Sequence, residues 1–334
     1  MNSRKIQNFH KRLHAWYATY GRTNLPWRIT KDPYAIYISE VMLQQTQVKT
    51  VLERYYFPFL KKFPTLKSLA AASSQSVMKA WEGLGYYTRA ANLHKAAKLA
   101  SPALPDSFDA LLALPGIGRN TAHAILAFGF RKPYAVMEAN VKRVLCRVFA
   151  LQKPAPDILW EMAEMMLDKK NPFDYNQAMM DIGALVCTKT LPHCNICPLA
   201  TICEGKSSPQ RYPNREKKKK VPIRKKKIII LQNSKGELYL EKRTGKFLNG
   251  LYGFLEIENT ETALTFLDHS ISITKQYKIG HIQHQYSHFT LEADVYKIPT
   301  TPDGTGFYSL KKIENLPLSK ADQKAVACFS SALS

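Results

Sequence analysis

The chain has 334 residues, enough for two domains of ordinary size, and its 45% hydrophobic and 22% charged composition is that of folded protein. No run nears the roughly 20 apolar residues needed to cross a bilayer, so a membrane span is excluded. The formal net charge of +22 points to a polyanionic partner.

The polar, basic opening Met1–His10 lacks the apolar core of a secretory signal. The expected compartment is therefore the cytosol, with the six cysteines reduced and no disulfide scaffold. The charge is unevenly spread. Residues 1–210 carry 27 basic and 14 acidic side chains, residues 211–227 carry ten and one, and residues 228–334 carry eleven of each. A basic body followed by a basic strap suits nucleic acid, because each neutralised phosphate releases condensed counterions. A solvated basic surface is the plainer alternative.

In chain order, residues 1 to about 205 read as helical. Apolar residues recur at three- and four-residue steps from Ser73 to Ala100 (Val77, Ala80, Trp81, Leu84), from Phe108 to Leu114 and from Thr121 to Phe128. Pro58, Pro64, Pro102, Pro105, Pro115 and Gly116 cut this region into short helices. Between two of them lies Leu114-Pro115-Gly116-Ile117-Gly118-Arg119. Gly116 and Gly118 let such a turn run close to a phosphate, which backbone N–H groups of the next helix can bind without reading sequence. A simple tight turn accounts for the same residues. Twenty positions past Gly118 stands Glu138, followed by Asn140, Lys142 and Arg143. A carboxylate there is placed to act on the sugar of an extruded nucleotide.

Cys187, Cys194, Cys197 and Cys203 follow, with six, two and five residues between them. This asymmetric run resembles an iron–sulfur ligand set more than the paired Cys-x-x-Cys knuckles of a zinc ribbon. Zinc, or four incidental buried thiols, remain open readings. Residues 207–227, with three prolines and the runs Lys217–Lys220 and Arg224–Lys227, are expected to be an extended linker. Beyond them the period falls to two. Ile228–Leu231, a turn at 233–236 and Glu237–Arg243 suggest strand, turn, strand; Phe289, Leu291, Ala293 and Val295 mark a half-buried strand. A sheet with a helix or two is expected there.

Leu25-Pro26-Trp27-Arg28, Ser39-Glu40-Val41-Met42-Leu43-Gln44-Gln45-Thr46-Gln47, Gly83-Leu84-Gly85-Tyr86-Tyr87 and Asn176-Gln177-Ala178-Met179-Met180-Asp181 resemble motifs of the MutY adenine DNA glycosylases. These belong to the helix-hairpin-helix superfamily that includes endonuclease III. The resemblance runs over nearly the whole chain, and the cysteine spacing is similar to that family's [4Fe-4S] pattern. It implies a mainly α helix-hairpin-helix glycosylase domain at 1–206 with the cluster loop at 187–203, the linker at 207–227, and an α+β Nudix-like domain at 228–334 that recognises 8-oxoguanine.

The implied activity is base excision repair by a monomer, acting on double-stranded DNA with A:8-oxoguanine or A:G mispairs by hydrolysis of the adenine N-glycosidic bond. Adenine must leave the stack before that bond is reached. The resemblance makes Glu40 the general acid, Glu138 the stabiliser of the cationic sugar, and Asn140 an orienting residue. Arg28 and Gln177 would bond the extruded base, Trp27 would wall its pocket, and Gln45 and Tyr86 would wedge into the duplex. Ser287 and His288, after Tyr286 where the family has Phe, match the loop that contacts 8-oxoguanine, and Gly250-Leu251-Tyr252-Gly253-Phe254 is similar to its Nudix-like segment. No Arg-Glu-x-x-Glu-Glu helix follows Glu258, so recognition without Nudix hydrolysis is expected.

Three departures stand out. Glu138-Ala139-Asn140 replaces Asp-Gly-Asn, His123 replaces a common glycine, and Asn120 stands where endonuclease III has its Schiff-base lysine. The first leaves a lesion-binding protein with impaired catalysis as one rival; an endonuclease III-type glycosylase–lyase is the other, disfavoured by the missing amine.

Overall fold

Two units emerge from a computed structural model, which describes residues 3–214, 221–245, 247–301 and 304–332. One comprises Met1–Ala70 with Lys95–Lys217, the other Ala71–His94 with Lys218–Ser334. No helix among the described residues is long and apolar enough to cross a membrane.

The first unit is helical. Its helix Pro33–Leu43 starts on Asp32, whose carboxylate accepts the Tyr34 N–H at 2.9 Å, with Pro33 at the first turn. Tyr34 to Ser39, Val41 and Met42 are all buried, so the helix is enclosed on nearly every side and Glu40 is its one charged residue. It packs against a π-helical turn, Ile125–Gly129, that continues the helix Arg119–Ala124. A second core joins the helices Ser3–Tyr20, Ala139–Val148, Pro156–Met166 and Pro172–Leu185 through Phe9, Leu13, Val144, Leu145, Leu159, Ala178 and Ile182. Each such side chain larger than alanine contributes about 1.5–3 kcal/mol on burial. Cys187, Cys197 and Cys203 pack at the edge of this core.

The second unit is built on a six-stranded sheet. Its central strand, Ile223–Gln232, runs parallel to Thr290–Pro299 with Ile228 opposite Val295, and antiparallel to Leu255–Glu258. Ile228 and Ile230 face one core with Phe254, Val295 and the helix residues Ala325 and Phe329. Ile229 and Leu231 face the other, with Phe266 of the hairpin Ala263–Phe266/His269–Ser272. A strand covered on both sides reads as a continuous apolar run.

Three expectations shift. Gly83 (φ +87°) and Gly85 (φ +77°) interrupt the periodic stretch from Ser73 to Ala100, which becomes two helices, Ser74–Ala80 and Thr88–Ala100. Arg224–Lys227, placed in the linker on charge, are strand, because pairing with Thr290–Pro299 along all four, and also with Leu255–Glu258 at Lys226 and Lys227, outweighs their repulsion; the run Lys217–Lys220 lies outside the described residues. Residues 71–94, assigned by sequence to the helical domain, group with the sheet. Glu82 accepts the Leu318 N–H at 2.8 Å, the Lys79 ammonium donates to the Leu316 carbonyl at 3.1 Å, and the Tyr87 hydroxyl donates to the Leu318 carbonyl at 3.3 Å.

Candidate active site

Trp27, Arg28, Glu40, Gln45, Glu138, Asn140 and Gln177 line one cavity of about 570 Å³ in the helical unit. Four separate stretches of sequence meet there. Glu40 arrives on the enclosed helix and is half-buried at the cavity wall. Burial first, then the nearby Glu138 carboxylate, push it up to about 8 against the pull of Arg28. At neutral pH it therefore holds a proton.

Glu138 caps the helix Ala139–Val148, where the aligned peptide dipoles favour negative charge. Burial still raises its carboxyl, opposed by a hydrogen bond from Asn140 and by Arg22, Arg143 and Arg28. Asn140 Nδ2 donates to Glu138 Oε1 at 2.9 Å, and Arg143 Nη2 donates to Asn140 Oδ1 at 2.8 Å and to the Gly183 carbonyl. Arg143 Nε also donates to the Cys187 carbonyl at 2.8 Å.

Arg28, expected to bond the extruded base, is committed elsewhere. Its Nη1 and Nη2 donate to the two oxygens of Asp181 at 2.7 and 2.8 Å, leaving Nε without a partner among the described residues. Burial alone would raise the Asp181 carboxyl, but the guanidinium groups of Arg28 and Arg22 hold it below the usual carboxylate range. Gln177 is 1% exposed and its Oε1 also lacks a partner among the described residues, an unmet acceptor on the cavity wall. Trp27 is buried with its ring edge-on to Tyr56.

Gln45 and Tyr86, the expected wedges, both adopt left-handed backbone (φ +58° and +49°) and are exposed. Such conformations cost roughly 1–3 kcal/mol outside glycine and cluster at functional sites. At the hairpin, Leu114 and Ile117 are buried while Gly116 and Gly118 face solvent. Gly116 needs its positive φ of +77°. A Cβ at Gly118 would meet nothing within 4 Å, so its bareness serves no packing within the protein.

Tyr86, Ser287 and His288 share a cavity of about 600 Å³ in the second unit. Ser287 Oγ lies 3.3 Å from His288 Nδ1, and Phe247 sets its ring edge against Tyr286 and His288. After Leu255–Glu258 the chain forms the 263–272 hairpin, and no α-helix occurs among the described residues until Leu310.

Cys187, Cys194, Cys197 and Cys203 line one small cavity together with Arg147, whose Nη1 donates to Cys187 Sγ at 3.3 Å. Burial, then the neighbouring thiols, push Cys197 and Cys203 up to about 11. Four thiols converging on one small cavity are a donor set that fits an iron–sulfur cluster, as it would zinc. Among the described residues, no group of three or more His, Cys, Asp or Glu is set to hold a metal ion.

Sequence reasoning passed over Asp181, Arg22, Asn176 and Arg143 as site residues. Asp181 and Asn176 lay inside a quoted motif, but pairing across more than 150 positions, as between Arg28 and Asp181, leaves no local signature.

An acid raised at the cavity wall, a second carboxylate at a helix N-terminus and an unmet amide oxygen share one cavity, groups suited to protonating a leaving group beside a developing cation. A family model described as HhH-GPD superfamily base excision DNA repair protein matches residues 38–166, and a NUDIX domain model matches 227–328. The chain is 38% identical over 295 residues to the adenine DNA glycosylase of Buchnera aphidicola subsp. Baizongia pistaciae, covering 85% of this chain and 84% of that one. It is 40% identical over 220 residues to the adenine DNA glycosylase of Homo sapiens, covering 60% and 40%. Among solved structures, a thermostable thymine-DNA glycosylase superposes with a TM-score of 0.57 at 28% identity, over 61% of this chain and 97% of that one. A non-covalent endonuclease III–DNA complex superposes with 0.55 at 19% identity, over 63% and 99%, a likeness of fold. The chain belongs to the adenine DNA glycosylases.

Proposed function

We propose that this glycosylase removes adenine paired with 8-oxoguanine, and with guanine, by hydrolysis without strand cleavage. The observation that carries the mechanism is Glu40, protonated by burial on the wall it shares with Glu138. Glu40 gives its proton to N7 of the flipped adenine. The C1′–N9 bond then breaks, adenine leaves neutral, and the electron-poor sugar is stabilised by the Glu138 carboxylate held by Asn140. Water adds its hydroxide to C1′ and returns a proton to Glu40. Gln177 presents its unmet Oε1 to the base, whose exocyclic amine is a matching donor. Arg28 acts through Asp181 as a structural clamp, with Nε still without a partner among the described residues and available to the base.

Double-stranded DNA is held as a monomer, with the Gly116–Gly118 hairpin on a phosphate and Gln45 and Tyr86 wedging beside the lesion. Ser287 and His288 read the 8-oxoguanine. Cys187, Cys194, Cys197 and Cys203 hold a [4Fe-4S] cluster. When bound, it supplies a structural clamp for the loop they bracket. A visible absorption band, with matching iron and sulfide content, checks it; zinc as the sole bound metal contradicts it.

Asn120 offers an amide in place of an amine. Its Oδ1 accepts the Met137 N–H at 2.8 Å, a fixing role rather than a nucleophile's. The test is single-turnover cleavage of an A:8-oxoguanine duplex beside Glu40→Gln, with borohydride trapping in parallel. Abasic product from the wild type alone, without a covalent adduct, is expected. No product above the Gln control leaves a lesion-binding protein, and a strong adduct makes it a lyase.

A further inference from the structure

We propose that His123 is a positioning residue for excision, its ring fixing the extended segment that delivers Glu138 to the cavity. Residues 131–138 form no regular secondary structure, yet Ala135 and Val136 are only 2% exposed. Buried irregular backbone must find side-chain partners. It does so at four consecutive residues. The Tyr134 carbonyl accepts Asn176 Nδ2 at 2.9 Å, and the Ala135 carbonyl accepts His123 Nδ1–H at 2.7 Å. The Val136 N–H donates to Asn176 Oδ1 at 2.9 Å, and the Met137 N–H to Asn120 Oδ1 at 2.8 Å. Glu138 comes next.

The His123 ring is itself immobilised. It is 4% exposed and meets Phe108, Tyr134 and Trp160 edge-on, with centroids 5.2, 4.9 and 5.0 Å away. Those three contacts set the ring plane and so aim Nδ1 at the Ala135 carbonyl. Burial, with Arg119 nearby, lowers the ring's pKa against the pull of that carbonyl and of Glu164, and because a carbonyl can only accept, Nδ1 carries a proton. A glycine here would offer neither the donor nor the volume. The departures at 123 and at 138–139 thus meet at one short strap, which His123 grips from the helix Arg119–Ala124 and which ends at Glu138: the longer acid reaches the cavity from a segment that the imidazole has fixed in place. A carboxylate misplaced by about 1 Å costs on the order of 100-fold in rate.

This inference rests on the excision mechanism above, so its test includes a readout that needs no catalysis. His123→Phe keeps the bulk and loses the donor; His123→Asn keeps a donor near Nδ1 and loses the ring. Adenine release at saturating enzyme, Kd for the duplex, melting temperature and amide exchange at Val136 and Met137 are measured for both. In His123→Phe, release is expected to slow about 30-fold with Kd within about twofold, while both amides exchange about tenfold faster, the factor for one lost buried hydrogen bond. His123→Asn is expected to recover most of the rate. Unchanged exchange in His123→Phe overturns the positioning role, whether or not the wild type cleaves. So does an equal loss of rate in both variants that follows their melting temperatures. A wild type inert on adenine duplexes, with exchange accelerated in His123→Phe, overturns the catalytic reading alone.

Discussion

Glu40 and Glu138 are two carboxyls that burial raises together, Glu40 to about 8 and Glu138 against the opposing pull of the Asn140 amide and three arginines. The excision rate is accordingly expected to fall as pH rises through about 8, where Glu40 loses its proton; a flat single-turnover profile to pH 9 contradicts this. Glu40→Gln removes the acid, for a loss of about 10²–10⁴-fold. The same change stabilises the fold. A carboxyl whose folded pKa lies above its unfolded value of 4.5 costs stability increasingly from about pH 4.5 to 8. The melting-temperature gain of Glu40→Gln is therefore expected to be small at pH 4.5 and largest above pH 8. Glu138→Asp retracts the carboxylate by a methylene from its 2.9 Å bond with Asn140, and a rate loss of about 10–100-fold is expected in single-turnover cleavage. The chemical identity of these acids was legible in motifs; the state of their protons depends on what encloses them.

Helix placement depends on a close approach that no periodicity reveals. A Cβ on Gly183 would come within 2.7 Å of Asn140 Cβ and 3.0 Å of its carbonyl oxygen. The helices Ala139–Val148 and Pro172–Leu185 touch there, and Asn140 is the residue that bonds Glu138. Gly183→Ala is expected to cost about 1–3 kcal/mol in denaturant unfolding and to slow excision by shifting Asn140. Full activity with unchanged stability contradicts that. The helix Pro33–Leu43, by contrast, carries local signals, an Asp-Pro start and an almost unbroken apolar run, although only its Ser39–Leu43 end was singled out by sequence, inside a motif. The strand at Ile223 was not, because its first residues are basic and join the sheet through backbone groups, which composition does not record.

For the molecule as a whole, the entire net charge of +22 lies before residue 228. DNA affinity is expected to fall steeply with salt, by a log–log slope of about −0.9 per phosphate contacted, and replacing Lys217–Lys220 with alanine is expected to flatten that slope. An unchanged slope removes this strap from the interface. In the second unit, Ser287→Ala with His288→Ala is expected to erode the preference for 8-oxoguanine over guanine while leaving the helical unit's stability unchanged. Equal preference before and after makes the loop scaffolding.

By itself the sequence determined the family, the helical and sheet-bearing halves, the acids and the cysteine set, since these are carried by residue type and short spacing. Tertiary structure alone decided that Arg28 is taken by Asp181, that residues 71–94 join the sheet unit, and that His123 grips the backbone ahead of Glu138. Each of those depends on groups far apart in the chain, whose partners are chosen by burial and hydrogen-bond geometry after the helices have packed.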